Sequence, residues 1–175
     1  MQWYDTILEL IDLRSFSNLW YWIALAVMWS SASHYVIGVP FDLVVRARRF
    51  GGQAQTDLED MVRININRIT YIAGVSGLWL MGFVSAILTM LILLGFYYQV
   101  EFCQAIFLLF LPMTLLGGLS LRTAQRLQAT MPSGEALRRA LTRHRFWTQG
   151  LGIISIFITA MWGMWQNMNL GALGA

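Results

Sequence analysis

The stretch ITYIAGVSGLWLMGFVSAILTMLILLGFYY occupies residues 69–98 and carries no charged side chain. A helix needs about 20 apolar residues to cross a hydrocarbon core about 30 Å thick. The run is longer than this, so it predicts a transmembrane helix that tilts or extends beyond the bilayer. The turn around residues 97–101 is short, and it forces the next apolar run to return antiparallel to the first.

Three further apolar runs, over residues 19–45, 102–121 and 146–165, predict three more spans. Trp20, Tyr21 and Trp22 open the first of them, as expected for an aromatic belt at a membrane interface. The chain is 57% hydrophobic and only 12% charged, whereas soluble domains carry about 25% charged residues. We therefore expect an all-α integral membrane protein, in which residues 18–175 form a bundle of four transmembrane helices.

All twelve basic side chains are arginines, and all but Arg14 lie in two polar segments between apolar runs. Arginine in short loops favours the cytoplasmic side of the membrane. The pattern predicts a multi-pass protein of the bacterial inner membrane with both termini in the periplasm. The net charge of +3 does not indicate nucleic acid, because the arginines border the spans. The first segment holds Arg46, Arg48, Arg49, Arg63 and Arg68, and the second holds Arg122, Arg126, Arg138, Arg139, Arg143 and Arg145.

Three shorter helices complete the predicted fold. Residues 1–17 alternate apolar and acidic positions at helical spacing, which predicts an amphipathic helix lying at the membrane interface. Thr56 and Glu59 have the spacing of a capping box and predict the start of a cytoplasmic helix that continues into the second span. A second cytoplasmic helix is expected from Glu135 to Arg145. The N-terminus has no basic region or cleavage motif, so we expect the first span to be retained.

The predicted first span contains the densest group of polar residues in any span: Ser30, Ser33, His34, Pro40 and Asp42. A continuous helix would place His34 about 18 Å from Arg46, near the middle of the membrane. The residues are then either a packing cluster at a kinked helix or the lining of a transport path. His34 is also the candidate cofactor ligand, although a single histidine does not indicate a metal site. The sequence identifies no cofactor and favours there being none, and it is compatible with bound lipid.

Two further features indicate contacts with other molecules. Small residues spaced four apart, Ala73 with Gly77 and Gly82 with Ala86, permit close approach of another helix. Seven arginines are candidates for contact with lipid headgroups or with a partner subunit. They are Arg46, Arg48, Arg49, Arg138, Arg139, Arg143 and Arg145. The sequence contains no motif for nucleophilic, metal-dependent or phosphate-binding catalysis, so we predict that the protein is not an enzyme.

Six stretches of the sequence carry a resemblance to known proteins: IDLRSFSNLWYW at residues 11–22, Ser33-His34, Gly38-Val-Pro40, Arg46-Ala-Arg-Arg49, TDLED at residues 56–60 and Ile158-Thr-Ala-Met-Trp-Gly163. Together they resemble a family of small, uncharacterised inner-membrane proteins of alphaproteobacteria. Some members are labelled as a component of a SulP-type anion transporter. The resemblance implies a role beside such a transporter, whose own membrane domain is longer and built of inverted repeats, and it implies no catalytic residue.

Three functions are compatible with these features. We favour a non-catalytic accessory subunit of a larger inner-membrane complex, bound to lipid and to other integral membrane subunits. The alternative is a transport component or small channel whose first span lines the path. A further alternative is a cofactor-binding subunit of a respiratory or photosynthetic assembly with His34 as the ligand.

Overall fold

A computed structural model describes residues 16–173, with side chains described through residue 168. These residues are almost entirely helical. The chain runs through α1 (Leu19–His34), the short strands β1 (Tyr35–Val36) and β2 (Val39–Pro40), α2 (Phe41–Phe50), α3 (Gly52–Ile92), α4 (Glu101–Thr130) and α5 (Gly134–Leu173). A π-helical turn, Leu93–Tyr97, continues α3 to its end.

Three of the helices are long and apolar enough to cross a membrane, which indicates a membrane-embedded protein. They are α3 with its π-helical turn, α4, and α5 as far as Met168, with mean hydropathies of 2.3, 2.0 and 1.2 over their most apolar segments. The predicted spans at residues 69–98, 102–121 and 146–165 lie largely within these helices. Pro112 is accommodated inside α4.

The prediction of one continuous helix over residues 19–45 is wrong. The helix ends at His34, and β1 pairs with β2 antiparallel, with Val36 opposite Val39. Ile37 and Gly38 form the turn and both have positive φ angles, 53° and 75°, as two-residue hairpins of the I′ type require. Pro40 lies at the end of β2 and directly precedes α2, so it does not kink a helix. The β-branched Val36 and Val39 favour the extended backbone of the two strands.

The two arginine-containing segments also differ in part from the prediction. α3 begins at Gly52, and the Thr56 hydroxyl donates to the Gly52 carbonyl from inside the helix, so Thr56 is not the N-cap. Gly51, with φ of 59°, makes the turn that precedes the helix. The helix from Glu135 to Arg145 is continuous with the predicted fourth span within α5. The first predicted cytoplasmic helix therefore continues into a long apolar helix, as expected, the second is likewise the start of one, and α2 is a separate short helix.

The largest hydrophobic core lies at the arginine-rich end of the molecule. The hairpin and α2 pack there against the first turns of α3 and α5 and the last turns of α4, and we call this unit the basic-end core. Its buried members are Val36, Ile37, Val39, Val44, Ala47, Leu58, Val62, Ile66, Ala124, Leu127, Leu137 and Leu141.

At the other end, α1 lies antiparallel to α5 and beside α4. Trp29 contacts Gly152, and Phe16 contacts Gly163; a Cβ atom at Gly152 would stand 2.8 Å from the Trp29 ring. The Tyr21 hydroxyl donates to the Ala105 carbonyl at 3.3 Å. The predicted interfacial helix at residues 1–17 falls outside the described residues except for its last two.

Candidate functional site

The helix α2 brings the two arginine segments of the sequence together. Val44 and Ala47 are buried in the basic-end core, which fixes one side of α2 against α3 and α5. Arg46, Arg48 and Arg49 are exposed on its remaining surface. This amphipathic pattern follows from helical periodicity, but the meeting with α5 follows from the hairpin, which the sequence did not reveal. We call the area that these three residues form with Arg138, Arg139, Arg143 and Arg145 of α5 the arginine surface.

The first half of the arginine surface is an open groove of about 720 Å³ between α2 and α5, here named the α5-side groove. Its floor is apolar, and its walls carry four guanidinium groups and one carboxylate. The groove is lined by Phe41, Val44, Val45, Arg48, Glu135, Arg138, Arg139, Thr142, Arg143 and Phe146.

Two of the four guanidinium groups in this groove are held by neighbours. Arg139 pairs with Glu135 at 2.6 Å one helical turn away, and Arg138 donates to the side-chain carbonyl of Gln55 on α3. Arg48 and Arg143 form no ion pair with any described residue. The groove therefore has two guanidinium groups free to bind an anion.

The second half is a shallower groove of about 420 Å³ beside the hairpin, here named the hairpin-side groove. The Arg145 guanidinium carbon lies 3.9 Å from the centre of the Phe41 ring, a cation–π contact that orients the arginine. Asp42 has no ion-pair partner among the described residues. The groove is lined by His34, Phe41, Asp42, Val45, Arg46, Arg49, Phe50 and Arg145.

His34 does not lie where a continuous helix would place it. The chain reverses at the hairpin, so the side chain lies beside Arg46 and Arg145, exposed to the surroundings, with its ring against Tyr35. The 18 Å separation predicted from helical rise is wrong for this reason. A position at mid-membrane depth, the basis for its proposed ligand role, is therefore lost.

The predicted polar cluster is only partly assembled. His34 and Asp42 share the hairpin-side groove, whereas Ser30 is exposed on α1 and Pro40 is half-buried at the end of β2. Ser33 is half-buried on the last turn of α1. The hairpin-side groove therefore brings together two of the five predicted residues.

Sequence reasoning missed two buried polar clusters. His144 is 4% exposed and lies between Ser120 at 3.3 Å and Thr123 at 3.1 Å, which joins α4 to α5. Near the opposite end, Gln104 is fully buried; it accepts from the Trp162 indole at 3.0 Å and donates to the Gly95 carbonyl at 2.8 Å. Gln104 lies inside an apolar run, which is a sequence signal for its cluster, whereas His144 stands between two arginines and has no such signal.

Glu59 fixes the start of α5 beside α3. Its carboxylate accepts from the backbone N–H of Gly134 at 2.8 Å and from the Gln55 side chain at 2.7 Å. These hydrogen bonds lower the pKa of Glu59, which lies in the polar extension of α3 outside the predicted span. Since Gln55 also binds Arg138, the same contacts position one wall of the α5-side groove.

Among the three long apolar helices, α3 is the least covered by the other described residues. Only 6% of its most apolar segment is buried, against 22% for α4 and 28% for α5. Trp79 and Leu78 are 85% and 83% exposed. At the small residues Gly77 and Gly82, predicted to allow close helix contact, an added Cβ atom would have open space around it for 4 Å. Within residues 16–168, no side chain or backbone packs closely on these two glycines.

The described residues include no group of three or more His, Cys, Asp or Glu side chains placed to hold a metal ion. Comparison with protein-family models, curated proteins and solved structures gave no match. Function is therefore inferred from the geometry of this chain alone.

Proposed function

We propose that the protein is a non-catalytic accessory subunit of a larger complex in the bacterial inner membrane, and that α3 contacts the partner. The observation that carries the proposal is the low burial of α3 among the described residues, 6% over its most apolar segment. Lipid tails surround an apolar helix as favourably as protein does, so exposure alone does not indicate a partner. The residues on the exposed face must also suit contact with another helix.

The exposed face of α3 is suited to another helix. Ala73, Val84 and Leu91 are turned toward the rest of the chain and are at least half-buried. The opposite face carries Gly82, Ser85, Ala86 and Thr89, all exposed and spaced by three and four residues. Small residues at this spacing allow two helix backbones to approach closely and gain dispersion contacts along their length.

Trp79 adds to this argument. Tryptophan favours the membrane interface, where its indole N–H meets water, but Trp79 lies well inside the apolar segment and is 85% exposed. A large aromatic side chain on a helix face is also a typical anchor in protein–protein contacts. We propose that Trp79 packs beside the small residues against the partner helix.

The proposed topology has four passes with both termini in the periplasm. α1 alone rises about 24 Å over its 16 residues. The hydrocarbon core of a bilayer is thicker than this, about 30 Å. It nevertheless runs alongside α5, from the Phe16–Gly163 contact to the Trp29–Gly152 contact. We propose that α1 crosses with α5 and that the apolar hairpin provides the remaining depth on the cytoplasmic side, where the arginines lie.

Purification from native membranes in mild detergent tests the proposal. The wild-type chain is expected to retain a stoichiometric integral membrane partner, and the resemblance found in the sequence makes an anion transporter the first to look for. Gly82→Leu should reduce the retained partner about tenfold, because the side chain separates the two backbones. Gly74→Leu is the matched control: it adds the same side chain at an exposed glycine of α3 about two helical turns before Gly82, outside the segment from Gly82 to Thr89, and should retain the partner.

Two results would contradict the proposal. One is a wild-type chain that purifies as a monomer or homo-oligomer with nothing else at stoichiometric amounts. The other is equal retention of the partner by the Gly82→Leu and Gly74→Leu chains, which would exclude α3 as the contact.

A further inference from the structure

The two grooves of the arginine surface share a floor. Phe41 and Val45 line both of them. Each groove also has its own guanidinium groups: Arg48 and Arg143 in the α5-side groove, and Arg46 and Arg49 in the hairpin-side groove. The arrangement is therefore two cationic grooves joined by one apolar floor.

We propose that this surface binds a dianionic phospholipid of the diphosphatidylglycerol type, with one phosphate in each groove and its acyl chains along the apolar floor. The proposal does not depend on the partner proposed for α3. It assigns a ligand class to the arginine surface and a stoichiometry of one lipid molecule per two grooves.

The charges in the grooves favour an anion. The α5-side groove holds four arginines and one glutamate, and the hairpin-side groove holds three arginines and one aspartate. The arginines therefore outnumber the carboxylates in both grooves, and each groove carries a net positive charge. The free guanidinium groups of Arg48 and Arg143 have the planar donor geometry that binds phosphate through two parallel hydrogen bonds.

The floor of the grooves favours a lipid over a soluble phosphate. Phe146 and Val45 are 69% and 52% exposed, although both lie directly beside arginines at the point where the apolar run of α5 begins. An apolar surface next to a phosphate site matches the junction between a lipid headgroup and its chains. Basic recesses between membrane helices on the cytoplasmic side are where such headgroups bind.

Two cationic grooves joined by one apolar floor favour a single lipid with two linked phosphates over two separate lipids. Linking the phosphates through one headgroup makes the second binding step intramolecular, which raises its effective concentration. A dianionic lipid should therefore bind more tightly than a monoanionic one at equal phosphate concentration. An acidic protein segment could pair with the arginines, but it would leave the apolar floor without a binding partner.

The test is a binding titration of the delipidated full chain in neutral detergent. The probes are diphosphatidylglycerol, phosphatidylglycerol, phosphatidylcholine and the chain-free headgroup of diphosphatidylglycerol. Diphosphatidylglycerol should bind at least about tenfold more tightly than phosphatidylglycerol at equal phosphate, because its phosphates are linked. Phosphatidylcholine and the chain-free headgroup should bind weakly or not at all.

Double variants test each groove separately. Arg48→Gln with Arg143→Gln, and Arg46→Gln with Arg49→Gln, should each weaken diphosphatidylglycerol binding about 30-fold, from about 1 kcal/mol per basic residue and about 1.4 kcal/mol per tenfold. The matched control is Arg122→Gln with Arg126→Gln, which removes the same charge from exposed positions of α4 outside both grooves. The control should stay within about twofold of the wild-type affinity.

A charge-preserving pair guards against misfolding of the Gln variants. Arg48→Lys with Arg143→Lys keeps the cytoplasmic charge but removes the planar donor geometry, and it should bind about tenfold more weakly. The proposal is overturned if phosphatidylglycerol or the chain-free headgroup binds as tightly as diphosphatidylglycerol. It is also overturned if the control loses as much affinity as the groove variants, or if the Lys pair binds like the wild-type chain.

Discussion

The two ends of this molecule are stabilised in different ways. At the basic end, residues from the hairpin and four helices bury each other, and Leu58 and Leu141 are fully enclosed. In the apolar half, α3 buries 6% of its most apolar segment and exposes side chains such as Trp79. The difference teaches that internal packing determines the structure at the basic end, whereas the apolar half leaves most of α3 to its surroundings.

The largest effect that would sharpen this comparison is loss of a leucine from the basic-end core. Leu141→Ala should lower the free energy of unfolding by about 2–5 kcal/mol, because it leaves a cavity among buried neighbours. Leu78→Ala, at a position 83% exposed, should change it by less than about 0.5 kcal/mol. Reversible unfolding in mixed micelles measures both. Equal losses would remove the distinction between the two ends.

The contact between α1 and α5 comes next. Gly152→Ala puts a methyl group 2.8 Å from the Trp29 ring, and overpacking of this kind costs about 1–3 kcal/mol. Gly150→Ala is the control on the same helix, since nothing lies within 4 Å of its Cβ position. Trp29→Leu should relieve the clash in the Gly152→Ala chain. If Gly152→Ala is as stable as Gly150→Ala, α1 does not pack on α5 in this register.

The buried Gln104 tests whether polar contacts hold the apolar half. Gln104→Leu removes hydrogen bonds to Trp162 and Gly95 and should cost about 1–2 kcal/mol, since hydrogen bonds inside membrane bundles average about 0.6 kcal/mol each. Gln149→Leu, an exposed site on α5, is the control. The same unfolding assay, with Trp fluorescence as the probe, would contradict the assignment if the two variants behaved alike.

The smallest effect concerns pH at the basic end. The hydrogen bonds from Gly134 and Gln55 lower the pKa of Glu59 in the folded chain. A carboxylate with a depressed folded pKa adds stability above its unfolded pKa, about 4.3, and that stability is lost as the pH falls through the folded value. The Glu59→Gln chain should lack this part of the acid dependence. If the free energy of unfolding falls by the same amount between neutral and acidic pH in the wild-type and Glu59→Gln chains, Glu59 does not anchor α5.

The long helices could be predicted from the sequence because each corresponds to an uninterrupted apolar run. The hairpin could not, because its strands are two residues each and the apolar residues Val36, Ile37 and Val39 continue the hydrophobic pattern of α1. Only Gly38 and Pro40 mark the turn, and both are also compatible with a kinked helix. Missing the hairpin also misplaced His34.

The arginine surface illustrates the same limit. Its seven arginines were predicted as contact residues for lipid or a partner, and that prediction stays untested. The sequence separated them into two loops, and only the reversal at the hairpin places Arg48 opposite Arg143 across one groove. Convergence of this kind depends on a change in chain direction, and neither composition nor helical periodicity carries that information.

The most direct test of the central claim is quenching of Trp fluorescence by lipids brominated along their acyl chains, with the purified chain reconstituted alone in vesicles. Trp79 is 85% exposed within the apolar segment of α3, and Trp29 is 4% exposed against α5. Trp79→Phe should therefore remove a large part of the quenchable fluorescence, whereas Trp29→Phe should leave the quenched amount unchanged. Equal losses from the two variants, or no quenching in the wild-type chain, would contradict an apolar half that faces the membrane around an internally packed contact between α1 and α5.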